Sequence, residues 1–207
     1  MKQLNLYIIE KLKLSTDTQD NYKYFPKTKE ELISILEEKS YKSKRKLDLN
    51  DIDVSKITDM SELFRRCNNL SKVEVSNWDT SNVINMENMF NECKNIKSIS
   101  CDTWDVSNVE NMKGVFHHCK NLELDLSSWD VSKMELSDGM FSGCSKFTGK
   151  GLENWNIKNL ESAIAMFAGC NNIDFDINAW KPENLKKMTF MFSNCSLKAP
   201  SWYSRKI

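Results

Sequence analysis

Asn77–Ile99 reads NWDTSNVINMENMFNECKNIKSI, and Thr103–Leu126, TWDVSNVENMKGVFHHCKNLELDL, restates it one period later. Working outward, Phe64, Phe90, Phe116, Phe141, Phe167 and Phe192 recur every 25 or 26 residues, each followed three residues on by a cysteine: Cys67, Cys93, Cys119, Cys144, Cys170 and Cys195. Trp78, Trp104, Trp129, Trp155 and Trp180 keep a third register. A fixed period of this length is the mark of a stacked array, in which each unit buries its apolar face only against its neighbours.

Five and three positions before the tryptophans stand Val73/Val75, Ile99/Cys101, Leu124/Leu126 and Phe175/Ile177. Period-two alternation predicts a short strand with one face inward. Leu152 keeps one of these slots, but Lys150 takes the other after Gly149, so an irregular strand is expected there. Leu47, Leu49 and Ile52 mark a first coil, and Leu197, Ala199 and Trp202 a truncated last one. After the first four tryptophan slots comes Asp-x-Ser, at Asp53, Asp79, Asp105 and Asp130, where the side chains fold back onto backbone amides, while Lys181-Pro182 in the sixth coil abandons the cap. From Ile57, Val83, Val109, Met134, Leu160 or Leu185 to the cysteine, apolar residues fall at roughly i, i+3, i+6, i+7 and i+10, which predicts a short helix with one buried face.

The W-D-x-S-x-V-x-x-M-x-x-M-F-x-x-C core resembles the 26-residue repeat of the BspA-like family of bacterial surface proteins, a branch of the leucine-rich-repeat superfamily, over about residues 47–202. The resemblance implies an α/β fold: a right-handed leucine-rich-repeat-like solenoid of about six strand-turn-helix coils with a parallel sheet along one side. It also implies adhesion or protein binding. LNLYIIEKLKLSTDT (4–18) and YKYFPKTKEEL (22–32) are similar to leaders of repeat proteins from gut bacteria and their phages.

The 29 basic and 29 acidic residues cancel, but unevenly. Residues 51–150 carry 11 Lys/Arg against 16 Asp/Glu, which disfavours nucleic acid and suits a basic partner for the central coils. Glu10, Lys11 and Lys13 break the N-terminal apolar run before it reaches signal-peptide length, and no stretch approaches a membrane span. A cytoplasmic protein with reduced cysteines is the expectation.

The recurring side chains invite chemistry that stacking argues against. Equivalent residues in successive coils lie about 4.8 Å apart in a line, and a line of cysteines cannot converge on one tetrahedral zinc. Buried thiols packing as small apolar groups are the better reading, ahead of redox or metal roles. Stacked aspartates would repel, and Asn156 keeps the acceptor without the charge, so capping is preferred over calcium binding. His117 and His118 occupy slots filled elsewhere by Arg65-Arg66, Asn91-Glu92 and Ser142-Gly143, a variability that predicts solvent exposure. With no nucleophile motif, phosphate loop or metalloprotease motif beside them, no catalytic site, cofactor, metal or small-molecule substrate is expected.

In residues 1–46, apolar spacing predicts one helix over 4–14. Thr28-x-x-Glu31 after Pro26 predicts a second, with Leu32, Ile33, Ile35 and Leu36 buried. This segment is read as a cap on the first coil of the 47–207 array, or as a recognition element anchored by Tyr22, Tyr24 and Phe25. Lys44, Arg45 and Lys46, ahead of the first coil, offer contacts to an acidic protein or to RNA. The functional expectation is a non-catalytic scaffold that binds a protein partner. Two candidate surfaces follow: the outward Glu74, Asp102, Glu123 and Asp125, and an edge containing Arg65, Arg66, His117 and His118. Alternatives are a phage- or mobile-element-encoded inhibitor of a host defence enzyme, and a surface or virion component.

Overall fold

The computed structural model describes residues 22–42 and 45–203. The helix expected over 4–14, and Lys44, lie outside them. The second N-terminal helix is present as α1, Lys29–Lys42. Thr28 Oγ1 accepts from the Glu31 amide at 3.3 Å. Glu31 Oε2 accepts from the Lys27 amide at 2.7 Å, so the reciprocal half of the capping box lands one residue early. Leu32, Ile35 and Leu36 are buried against the first repeat; Ile33 is only half-buried.

Three parallel strands follow, β1 Lys46–Asp48, β2 Lys72–Glu74 and β3 Ser98–Ile99, in the order β1-β2-β3. Leu47 pairs with Val73 and Val73 with Ile99, so equivalent residues of successive repeats lie side by side, pointing inward. The strands expected further along are absent. From Leu122 to Leu126 the chain takes one step fewer than from Ile96 to Cys101, which removes the residue that would continue the ladder. Some pairing persists: the Glu123 amide reaches Lys97 O at 2.9 Å and the Leu126 amide reaches Lys150 O at 3.1 Å. Two 3-10 turns, Leu152–Asn154 and Ile177–Ala179, lead into Trp155 and Trp180.

The opposite side corrects the sequence expectation outright: the short helices are not formed. In the first repeat the Arg65 amide bonds back to Glu62 O at 3.1 Å and the Cys67 amide to Phe64 O at 3.0 Å, closing tight turns. The alternate amides, those of Met60, Glu62, Phe64 and Arg66, donate instead to Asn85, Glu87, Met89 and Asn91 of the next repeat, at 2.8 to 2.9 Å. This alternation requires a left-handed residue at every fourth position. Positive φ is found at Glu62 and Arg66, Asn88 and Glu92, Gly114 and His118, and on to Phe190 and Asn194. A chain that keeps reversing its hand cannot wind into an α-helix, yet it places apolar residues on one face much as a helix would. Its amides are shared between bonds within the repeat and bonds across to the next, so the buried backbone stays paired without helical winding. The same cross-repeat ladder joins five successive junctions, ending with Ala163, Ala165, Phe167 and Gly169 donating to Lys187, Thr189, Met191 and Ser193.

Between these two sides runs the core. Phe64 stacks on Phe90 at 4.9 Å, Phe90 on Phe116 at 6.0 Å, Phe116 on Phe141 at 5.7 Å and Phe141 on Phe167 at 5.9 Å. The tryptophans form a second column, with Trp78 and Trp104 at 6.1 Å and Trp155 and Trp180 at 6.3 Å. Burial of each such ring contributes about 1.5–3 kcal/mol, and the indole needs a partner for its N–H. Trp78 Nε1 donates to Leu49 O, Trp104 Nε1 to Val75 O and Trp180 Nε1 to Leu152 O, at 3.0, 3.0 and 2.8 Å. The N-terminal segment closes one end of the column. Tyr24 pairs in parallel with Ile52, and the Asp53 amide donates to Tyr24 O at 2.9 Å.

Candidate protein-interaction surface

The cysteines sit inside the array rather than at a site. Cys93, Cys119, Cys144 and Cys170 each point Sγ at a backbone carbonyl of the preceding repeat, Phe64, Phe90, Phe116 and Phe141, at 2.8 to 3.0 Å. Burial pushes the Cys67 thiol up to about 11 and those of Cys101 and Cys170 up to about 12, so the reactive thiolate is suppressed. The aspartates close turns. Asp53, Asp79, Asp105 and Asp130 accept from the amide two residues on, of Ser55, Ser81, Ser107 and Ser132, at 2.9 to 3.1 Å. Asn156 does the same for Lys158 at 3.3 Å. A second row, which the sequence reading passes over, opens the left-handed segments of the first three repeats: Asp59, Asn85 and Asn111 accept from Ser61, Glu87 and Lys113. Its signal is legible as Asp or Asn at a fixed slot one residue before Met60, Met86 and Met112.

Arg65, Arg66, His117 and His118 do share the turn side, two repeats apart. Arg65 pairs with Glu62 of its own turn at 2.8 Å, while Arg66 reaches across to Glu92 at 3.2 Å. The Arg66 guanidinium holds the Glu92 carboxyl below its ordinary range. The histidine rings lie 4.1 Å apart. They are half-buried, against the expectation of exposure, because the slots beside them are small: His118 packs where any Cβ on Gly143 would lie 2.3 Å from its Nδ1. His117 Nδ1 is 3.3 Å from Asn91 Oδ1. Burial, then the neighbouring His118, lowers the His117 pKa, with Glu92 opposing.

Tyr22 and Tyr24 are committed to the first repeats, Tyr24 through its pairing with Ile52. Tyr22 Oη donates to Asn77 O at 2.8 Å and packs edge-on against Phe25 at 6.5 Å. Lys39 Nζ lies 5.2 Å from the centre of the Tyr24 ring and pairs with Asp51 at 2.7 Å. Arg45 is exposed and its carbonyl accepts from Ser71 at 2.7 Å; Lys46 begins β1. A cavity of about 250 Å³ remains between α1 and the first repeat, lined by Ile33, Leu36, Leu63 and Phe64.

The strand side is where the sheet fails and where the surface opens. Two adjoining grooves of about 650 and 460 Å³ share Glu123, Leu124 and Asp125. Lys146, Thr148, Lys150 and Asn172 wall one, Ile99, Asp102, Ser127 and Ser128 the other. Leu124 and Ile99 supply an apolar floor, Leu124 being half-exposed. Lys150 pairs with Asp125 at 2.7 Å and, with the Ser127 hydrogen bonds, holds that carboxyl at about 2. Asp102 and Glu123 are exposed and make no ion pair among the described residues.

Residues 34–151 and 95–202 match the family described as "Mycoplasma protein of unknown function, DUF285". The chain belongs to the DUF285 family. Two overlapping matches to one description are what an array of similar units produces, and together they take in the end of α1 and all the stacked repeats of this DUF285 chain. The crystal structure of a leucine-rich repeat protein from Eubacterium ventriosum is similar over 76% of the chain, at 18% identity and a TM-score of 0.49. The chain spans 40% of the length of that protein. No curated protein matches. Among the described residues no helix is long and apolar enough to cross a membrane.

Proposed function

We propose that this DUF285 chain is a right-handed solenoid of about six coils that works as a non-catalytic binding scaffold, taking a basic protein segment along its strand side. The observation that carries the reading is the double groove centred on Leu124, with Asp102 and Glu123 on its rim and an apolar floor between them. Unpaired exposed carboxylates around an apolar strip steer and orient a cationic partner, while the floor accepts one of its apolar side chains. The likeness of the repeat core to BspA-like repeats supports protein binding over chemistry. A photo-crosslinker at Ser128, on the groove rim, should capture a partner protein that one at Lys158, on the turn after Trp155, does not. Asp102→Lys with Glu123→Lys should weaken that capture at least tenfold without changing the unfolding midpoint. Equal capture from both positions, or capture indifferent to the charge reversal, removes the strand side as the binding surface.

A further inference from the structure

The cross-repeat ladder of the turn side has a direction. Along the left-handed run of every junction the earlier repeat donates four N–H groups and the later one supplies the carbonyls; only at the mouth of the run do amides of the later repeat point back, as Ile84 and Asn85 do to Thr58 O. The stack is therefore polar, and its last described repeat must end in donors. Those donors are the amides of Met188, Phe190, Phe192 and Asn194, equivalent to Ala163, Ala165, Phe167 and Gly169, and none of the four has a partner among the described residues. Among the described residues the tail closes only the apolar part of this end: Tyr203 stacks edge-on against Phe192 at 5.0 Å and donates to Met188 O at 3.3 Å. Beside the open row stands Phe190, 66% exposed and held at φ 60, in a slot filled earlier by Glu62, Asn88, Gly114, Gly139 and Ala165. A bulky exposed aromatic in the left-handed region is costly to keep for packing alone.

We propose that this row is a docking edge for an extended, acidic segment of a partner protein, which adds its backbone carbonyls to the four amides as a further repeat would, with Phe190 as the apolar anchor. This edge is separate from the strand-side groove and does not depend on it. Three observations select the occupant. The five internal junctions show the geometry of this row when filled, with carbonyls accepting at 2.7 to 3.0 Å. Main-chain addition to such an edge gives affinity, and pockets beside it give selectivity. Residues 181–203 carry Lys181, Lys186, Lys187 and Lys198 against Glu183 alone, so the electrostatics favour an anionic chain. A second copy fits poorly. Two such ends present donors to donors, and at the other end α1 lies over the first repeat with Leu32 and Ile35 fully buried.

The probe is a synthetic peptide of residues 83–95 with Cys93→Ser, which carries the acceptor row Asn85, Glu87, Met89 and Asn91 and a net charge of −1. Amide exchange and chemical shifts would be followed by NMR on the full chain. The expected result is that saturating peptide slows exchange at Met188, Phe190, Phe192 and Asn194 at least tenfold and leaves Ala163 and Ala165 unchanged. Phe190→Asn, which suits a left-handed residue and should keep the fold, should weaken peptide binding at least fivefold; Lys187→Glu should weaken it a few-fold. The proposal is overturned if the four amides are already as protected as those of Ala163 and Ala165 without peptide. It is equally overturned if protection instead rises with protein concentration, which assigns the edge to a second copy. Inorganic phosphate protecting the row as well as the peptide does would make it an anion site and overturn it too, as would peptide binding unchanged in Phe190→Asn.

Discussion

The two long sides of this stack obey different rules. On the strand side the ladder is three strands long and breaks where one residue drops out between Leu122 and Leu126. On the turn side the ladder runs through five junctions although the residues flanking the phenylalanines change from Arg65-Arg66 to His117-His118 to Ser142-Gly143. The difference lies in what each side asks of the chain. A strand asks for a residue count, and a single deletion shifts every later partner to the wrong face. The left-handed turns ask for a conformation, and each is fixed locally by i to i+3 bonds and by a ring in the core, with an Asx turn added in the first three repeats. Continuity therefore resides on the turn side, and openness on the strand side.

The sharpest way to break the comparison is to attack the continuous side. Phe116 is fully buried between Phe90 and Phe141, with its ring centre 6.1 Å from that of Trp129. Phe116→Ala is expected to lower stability by about 4 kcal/mol, read as the urea midpoint with the denaturant slope unchanged. A loss no larger than that of the strand-side substitution below would mean that the turn side does not carry the stack. On the interrupted side the tightest point is Gly151, at φ 94, where a Cβ would stand 2.2 Å from the Ser127 amide nitrogen and 2.5 Å from Leu126 C. Gly151→Ala should cost about 3 kcal/mol, from backbone strain and displacement of the neighbouring repeat together. The effect stays below that of Phe116→Ala because the sheet there is already broken and can shift.

The period of Phe64, Cys67 and Trp78 makes the stacked core legible in the amino-acid sequence, since burial at fixed spacing is what a core imposes on a chain. What the spacing does not separate is a helix from a left-handed turn run, because both bring residues three and four apart onto one face. The discriminating signal lies in another slot: Gly139 with Gly143, and Asn88, are residue types that tolerate positive φ, recurring four apart or at equal phase. The strand count is over-read for a related reason, because Leu124 and Leu126 preserve the alternation while the residue before them is missing. Among candidate site residues, the alternation puts Glu123 and Asp125 outward, where the groove has them. It leaves Tyr22 and Tyr24 as either free anchors or cap, since an aromatic facing the first repeat and one facing a partner look alike in one dimension.

A smaller effect tests whether the tryptophan column is tied to the strand side of the preceding repeat by hydrogen bonds as well as by packing. Trp104 Nε1 donates to Val75 O, 29 residues earlier, from a fully enclosed position. Trp104→Phe keeps a ring in the column but leaves that carbonyl without the indole donor. The expected loss is about 2 kcal/mol, roughly half for the lost indole hydrogen bond to a carbonyl that keeps only the Trp78 amide and half for reduced ring area. Trp155, whose bond to Leu126 O is longer at 3.4 Å and lies on the interrupted side, should lose less on the same change. Equal losses at the two positions would show that packing alone sets the cost.

The smallest expected effect is a pH dependence confined to the turn side. Burial and the adjoining His118 hold the His117 pKa below 6.5 in the folded chain, so the unfolded chain binds the proton more readily. Stability from this residue is thus full above pH 6.5 and is lost as pH falls below that value toward the folded pKa. His117→Gln keeps an amide partner for Asn91 without a titrating ring, and should flatten the stability profile between about pH 7 and 5 relative to the parent chain. The strand side carries no histidine among the described residues, so Asp102→Asn with Glu123→Gln should leave that window unchanged. A parent chain whose stability does not fall across that window, or a His117→Gln chain that falls as steeply, would show that His117 takes up its proton without opposing the packing that half-buries it.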